Sequence, residues 1–137
     1  MKITICGSLQ FAKEILEIEK TLQNMGHETL IPLWTEQFIN WLSNNRNEWS
    51  FDFARAWMLG HYDNISKSDA IVVANFDKNG IKWYIGWAVL IEMWVACHLK
   101  KKIFVLHDIP SADEIRYIQE VTLMQPTIIN NDLSLIK

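Results

Sequence analysis

The chain is short of the features that mark several functional classes. Its 137 residues hold two cysteines, Cys6 and Cys97, too few for a disulfide framework and without the spacing of a known metal motif. A reducing, cytoplasmic setting is expected by default. No uninterrupted apolar run reaches the roughly twenty residues that a bilayer span requires. The opening MKITIC meets Gly7 before the apolar core of a signal peptide could form, so no membrane partner is expected. Positive charge is not in excess: 13 Lys and Arg stand against 16 Asp and Glu, a net charge of -3. The cationic run Lys100, Lys101 and Lys102 closes a helix-like segment and complements its dipole. A nucleic-acid polymer is therefore not an expected partner. Internal repeats and low-complexity segments are absent. So are a P-loop and the three-glycine dinucleotide fingerprint, and no cofactor or metal is expected.

What is there is the pattern of one domain able to bury a single core, with half of its residues apolar. Ile3 to Cys6 reads as a buried strand and Gly7-Ser8 as a turn. Phe11, Ile15, Ile18, Leu22 and Met25 then recur at helical spacing until Gly26. A second strand is expected from Thr29 to Leu33. Two helical stretches follow, about Thr35 to Asn44 and Glu48 to Ser66, joined by the polar SNNRN. DAIVVAN, Asp69 to Asn75, is the clearest buried strand. After the loop FDKNGIKWY come a helix from about Ile85 to Leu99 and a strand from Ile103 to Leu106. A helix from about Ser111 to Gln119 and a short run Thr127 to Ile129 finish the chain. Helices alternating with apolar strands predict right-handed crossovers and a parallel sheet covered on both faces. The expected class is α/β: a three-layer, Rossmann-like open sheet of about five strands.

Open sheets of this kind bind ligands beyond the carboxyl ends of their strands. Three segments should converge there: Gly7-Ser8, the loop Phe76 to Tyr84, and the start of the long apolar helix. Gly7 permits a sharp bend, and the Ser8 hydroxyl can either cap the next helix or meet a ligand. Within YIGWAVLIEMWVACHLKKK, Glu92 is the carboxylate in an otherwise apolar helix. Its neighbours three and four positions away are Ala88, Val89, Val95 and Ala96, so no intrahelical cation pairs with it. A carboxylate so placed either reaches water at the helix edge or is held at a cleft as a nucleophile or general acid/base.

Seven tryptophans in 137 residues are more than one core can absorb. Trp83, Trp87, Leu90 and Trp94 are expected on one stripe of the helix, and Ala88, Val95, Ala96 and Leu99 on another. Trp49, Phe53 and Trp57 repeat every four residues, and Phe38 and Trp41 lie three apart. Some of these rings pack internally. The remainder would form an exposed aromatic patch of the kind found at interfaces or ligand grooves.

ITICGS near the start, SDAIVVAN in the middle, and a G…E…A helix followed by KKIFVL resemble the nucleoside 2-deoxyribosyltransferase superfamily, which includes the 2'-deoxynucleoside 5'-phosphate N-hydrolases. The resemblance spans roughly residues 2 to 107. It implies a flavodoxin-like sheet, cleavage or transfer of the N-glycosidic bond of a deoxynucleoside or its 5'-phosphate, a small-molecule nucleoside or nucleotide partner, and a homo-oligomer. It implies Glu92 as nucleophile, with Gly86 opening its motif. The helper acid's position is held by His61, which can protonate a leaving base, and Asp63 is the nearby carboxylate able to substitute. Gly7, Ser8, Asn75, Gly86 and Trp87 are the candidate substrate-binding residues. Trp94 stands where the family has a glycine after the glutamate, so Trp87 and Trp94 should either crowd the carboxylate or turn away to a partner. A noncatalytic binder or assembly subunit, its ancestral pocket filled by tryptophans, is the alternative.

Overall fold

The computed structural model describes residues 1–33, 35–44 and 51–137, with the side chains of residues 40–44 and 53 excepted. The expectations for Glu48 and Trp49, and for the Trp41 and Phe53 side chains, lie outside these residues. In chain order the elements are β1 (Lys2–Gly7), α1 (Ala12–Asn24), β2 (Glu28–Leu30), α2 (Thr35–Asn44), α3 (Phe51–Ser66), β3 (Ala70–Ala74), α4 (Trp87–His98), β4 (Lys102–Val105), α5 (Gln119–Leu123) and β5 (Thr127–Ile128). The five strands form one sheet in the order β2-β1-β3-β4-β5, and every neighbouring pair is parallel. The expected three-layer α/β architecture is therefore present, in the strand order of flavodoxin-like sheets, whose connections diverge between β1 and β3.

Strand alternation assigns each side chain to a layer. Ile3 and Ile5 of β1, Ala70, Val72 and Ala74 of β3, and Phe104 of β4 pack with Ile15, Ile18 and Leu22 of α1. Cys6, Ile71, Val73, Ile103 and Val105 point the other way, to Val89, Leu90, Met93 and Ala96 of α4. Each fully buried aliphatic side chain contributes about 1.5–3 kcal/mol relative to exposure. These two apolar layers hold the strand ends in place.

Local chemistry sets the element ends. Helix α1 stops at Gly26, whose φ of 90° suits a residue without a Cβ, and the His27 amide donates back to the Leu22 carbonyl at 3.0 Å. Strand β2 is shorter than expected. It is an edge strand with three residues registered on β1, and Pro32, having no N–H, cannot extend it. In the loop after β3, Asn79 and Gly80 both have positive φ, and Lys78 and Ile81 exchange backbone hydrogen bonds of 3.0 and 2.9 Å. This is the geometry that an Asn-Gly pair favours.

The helix expected from Ser111 to Gln119 does not form. The Ser111 hydroxyl accepts from the Asp113 amide at 3.2 Å and its carbonyl from the Glu114 and Ile115 amides at 3.1 and 3.0 Å, a single capped turn that is not continued. Ile115 is extended, and a 3₁₀ turn at Arg116–Ile118 leads into α5. That path buries both Ile115 and Ile118 in the α4 layer. Among the described residues no helix is long and apolar enough to cross a membrane.

Candidate active site

Helix α4 begins at Gly86, an extended N-cap without a side-chain bond to the helix. It ends where Lys100 turns to a φ of 56° and the Lys101 amide donates to the Ala96 carbonyl at 2.9 Å. Val89, Leu90, Met93 and Ala96 lie on the sheet. Glu92, one position from Met93, is turned toward α3 and the end of β1 and is only 3% exposed. It does not reach water at the helix edge.

Two side chains meet it there. The Nε2 of His61, on α3, is 3.7 Å from Glu92 Oε2, and the Cys6 thiol of β1 lies within 4.8 Å of the carboxyl. His61 and Cys6 are both wholly buried. Both imidazole nitrogens and Glu92 Oε2 have no hydrogen-bond partner among the described residues, which is uncommon for buried polar atoms. Burial raises the Glu92 pKa to about 8, against a smaller opposing effect of the Cys6 thiol. Burial likewise lowers His61 to about 4. At neutral pH both groups are therefore mainly uncharged, and the 3.7 Å approach is neither an ion pair nor a hydrogen bond. The Cys6 thiol is held well above its usual range by burial and then by the Glu92 charge. The half-buried Tyr62 phenol is raised by burial and by Glu92 too.

The wall over this cluster comes from α3 and the connection after β2. The Trp57 ring stacks on His61 with centroids 6.2 Å apart and planes 10° from parallel. Its indole N–H donates to the Leu33 carbonyl at 2.6 Å, and Asn64 donates to the Ile31 carbonyl at 3.3 Å. Gly60 lies between them, and a Cβ there would stand 2.6 Å from Leu33 Cδ1. Residues 57, 60, 61 and 64 thus share one face of α3 and hold the chain down over the imidazole.

The other sequence-derived candidates divide. Asp63 is exposed and paired with Lys67 on the surface of α3, about 200° around the helix from His61. It does not join Glu92. Gly7 is tightly packed, since a Cβ would sit 3.1 Å from the Ala74 carbonyl and 3.3 Å from Ile15 Cδ1. Ser8 caps the short turn after β1 by accepting from the Gln10 amide at 3.4 Å, and it also accepts from Lys78 Nζ at 3.1 Å. Asn75 is buried with both ends of its amide engaged. It accepts from the His107 amide at 2.9 Å and donates to the carbonyls of Asp108 at 2.8 Å and Trp83 at 3.3 Å. It clamps the end of β3 to the loop after β4.

The tryptophan expectation needs correction. Trp87 is 64% and Trp94 40% exposed, whereas Leu90 is buried. The outward stripe is Trp87, Ile91 and Trp94, with Trp87 against Tyr117 at 4.2 Å. Of the second expected stripe, Ala88 and Leu99 are exposed and Ala96 is buried. Neither Trp87 nor Trp94 crowds Glu92. The ring beside the cluster is Trp57.

Sequence reasoning did not single out Cys6, Trp57 or Lys78 as site residues. Cys6 was legible only as a residue of opposite parity to Ile3 and Ile5, next to the Gly7-Ser8 turn. Lys78 lies in the loop expected to converge on the site. With Ser8, the Tyr84 ring 4.9 Å below its ammonium and the Phe76–His107 edge contact, it forms the rim beyond the strand ends.

No family model matches the chain, and no curated protein matches it. Among solved structures, the chain is similar to a 2-deoxyribosyltransferase from the psychrotolerant bacterium Bacillus psychrosaccharolyticus. The identity is 18% and the TM-score 0.57, over 77% of this chain and 71% of that one. A CMP N-glycosidase of Clostridium botulinum aligns at 17% identity and a TM-score of 0.49, over 93% of this chain and 85% of that one. The fold that the sequence motifs imply is thus one that a solved 2-deoxyribosyltransferase shares.

Proposed function

We propose that this chain cleaves or transfers the N-glycosidic bond of a deoxynucleoside or its 5'-phosphate, with Glu92 as nucleophile and His61 as its acid/base partner. The observation that carries the reading is the meeting of these two side chains, 3.7 Å apart, beside the end of β1 where the sheet's connections diverge. The pair holds the single proton that the chemistry needs, and substrate binding must reverse the resting order of the two pKa values to move it. At rest the pair holds one proton, on Glu92. Transfer of that proton to His61 leaves a carboxylate to attack the anomeric carbon and an imidazolium to protonate the departing base. The C–N bond electrons leave with the base, and an ester joins the sugar to Glu92. Water or a second base then attacks the ester with His61 accepting the proton, as in retaining glycoside chemistry. Lys78 and Ser8 on the rim are suited to an anionic substituent of the substrate.

Among the described residues, the Trp57–Leu33 contact covers the cluster and Glu92 is only 3% exposed, so substrate entry requires that wall to move aside. That closure is the observation favouring the second reading, a noncatalytic binder or assembly subunit on the same fold. The test is release of free base from deoxynucleosides and their 5'-monophosphates, with Glu92→Ala as control. Release that vanishes in the variant supports the first reading. No release, or release that survives the substitution, contradicts it.

The exposed stripe of Trp87, Ile91 and Trp94 favours self-association, and light scattering should find an oligomer; a strict monomer would contradict this. Cys6 and Cys97 are free thiols, in keeping with a reducing cytoplasm.

A further inference from the structure

The unpartnered atoms around Glu92 call for a ligand in the closed form itself. Cys6 Sγ, a His61 nitrogen and a Glu92 oxygen all lie within 4.8 Å of one another, and all three residues are buried. Four-coordinate zinc takes thiolate, imidazole and carboxylate ligands at about 2.0–2.3 Å, which puts neighbouring ligand atoms about 3.3–3.8 Å apart. The 3.7 Å separation of His61 Nε2 and Glu92 Oε2 already falls in that range. Bringing the remaining atoms, at most 4.8 Å apart, onto one ion requires a contraction of up to about 1–1.5 Å.

Charge points the same way. A thiolate, a carboxylate and a neutral imidazole carry two negative charges, which one dication cancels, so the occupied site is neutral and suited to an apolar interior. The donor set selects the metal class. Thiolate and imidazole favour zinc over magnesium or calcium, which prefer all-oxygen shells. No spacing motif announces such a site, because its ligands come from β1, α3 and α4 and only the fold assembles them.

We propose that Cys6, His61 and Glu92 bind one zinc ion. Three protein ligands leave a fourth position for water or a small anion. Zinc held by a Glu92 oxygen draws off the carboxylate charge that nucleophilic attack requires, so a bound ion switches base release off. That consequence rests on the reading of Glu92 as nucleophile, whereas the binding itself does not.

The test uses the full chain carrying Cys97→Ser, in which Cys6 is the remaining thiol, stripped of metal with a chelator. Because the site is closed, zinc is supplied both to the folded chain and during refolding. Native mass spectrometry should then find one zinc per chain, and Co²⁺ in its place should give thiolate charge-transfer absorption in the near ultraviolet. The further changes Cys6→Ser and Glu92→Gln, both near-isosteric, should each weaken binding at least about 100-fold, more than the loss of an outer-shell partner brings. Failure to retain zinc by either route, or cobalt binding without the thiolate band, would overturn the proposal, and the band can be read even if Cys6→Ser does not fold. Zinc binding without base release by the metal-free chain upholds the metal site and sinks the glycosidase reading. Base release without zinc binding does the reverse.

Discussion

The two layers that cover the sheet obey the same apolar rule and depart from each other at one place. On the α1 side, Ile3, Ile5, Ile15, Ile18, Leu22, Val72 and Phe104 close an interior without an ionisable group among its described buried residues. On the α4 side an equally apolar layer admits Cys6, His61 and Glu92. The contrast extends to buried polar groups in general. Thr4 and Ser68 share a 2.6 Å hydrogen bond, and Asn75 uses its whole amide as a clamp. His61 and Glu92 alone leave buried side-chain atoms without partners among the described residues. A fold that satisfies its other polar groups this carefully holds these two at a cost to stability. Such a cost is ordinarily met at a functional site.

Substitutions can break or sharpen that contrast. The largest effect is expected on the α4 side and in activity. Glu92→Gln should lower base release by about 10³-fold or more, a typical scale for losing a positioned catalytic group, while circular dichroism stays unchanged. Retained release would remove the functional half of the contrast. The α1 side should respond in stability alone. Ile15→Ala, in the fully buried core, should cost about 2–5 kcal/mol in denaturant unfolding, with kcat of the folded fraction intact. A smaller loss is expected at the satisfied pair. Ser68→Ala leaves the Thr4 hydroxyl without its partner and should cost about 1–3 kcal/mol. The smallest effect belongs to the outward stripe, where Trp87→Ser loses only the contact with Tyr117 and should shift monomer stability by about 0.5–1.5 kcal/mol at most. A large change there at constant oligomeric state would mean that Trp87 is not on an open face.

The apolar side was the legible one. Ile15, Ile18 and Leu22 recur at helical period, and DAIVVAN announces a buried strand, because burial on a regular element leaves a periodic trace. Glu92 was also legible, as a carboxylate with no partner within its own helix. His61 was found through the family resemblance and Cys6 was not found. Both are brought to Glu92 by the fold, and no local spacing in the sequence joins the three positions. Of the two outcomes expected for Trp87 and Trp94, turning outward is the one found, for a geometric reason: positions 87 and 94 are about 140° and 200° around the helix from 92, so a bulky neighbour in sequence is not a neighbour in space. The helix expected at Ser111 failed because the chain is extended at Ile115, and burying Ile115 and Ile118 outweighed propensity.

The central claim is that Glu92 is buried without a compensating cation, and the pH dependence of stability tests it directly. The folded pKa is raised from 4.5 to about 8. The protonated folded form is therefore at no disadvantage below pH 4.5, and the burden of ionising Glu92 inside the protein grows as pH rises from 4.5 to about 8. Glu92→Gln cannot ionise. In chelator-treated protein followed by urea unfolding, the variant should gain on the parent chain across this window by a few kcal/mol at most, at about 1.4 kcal/mol per pKa unit. Any constant offset from the new amide is independent of pH. A difference that grows with pH and levels off near 8 is the predicted result. A difference that stays flat across the window would mean that Glu92 is solvated or paired with a cation, and would contradict the account.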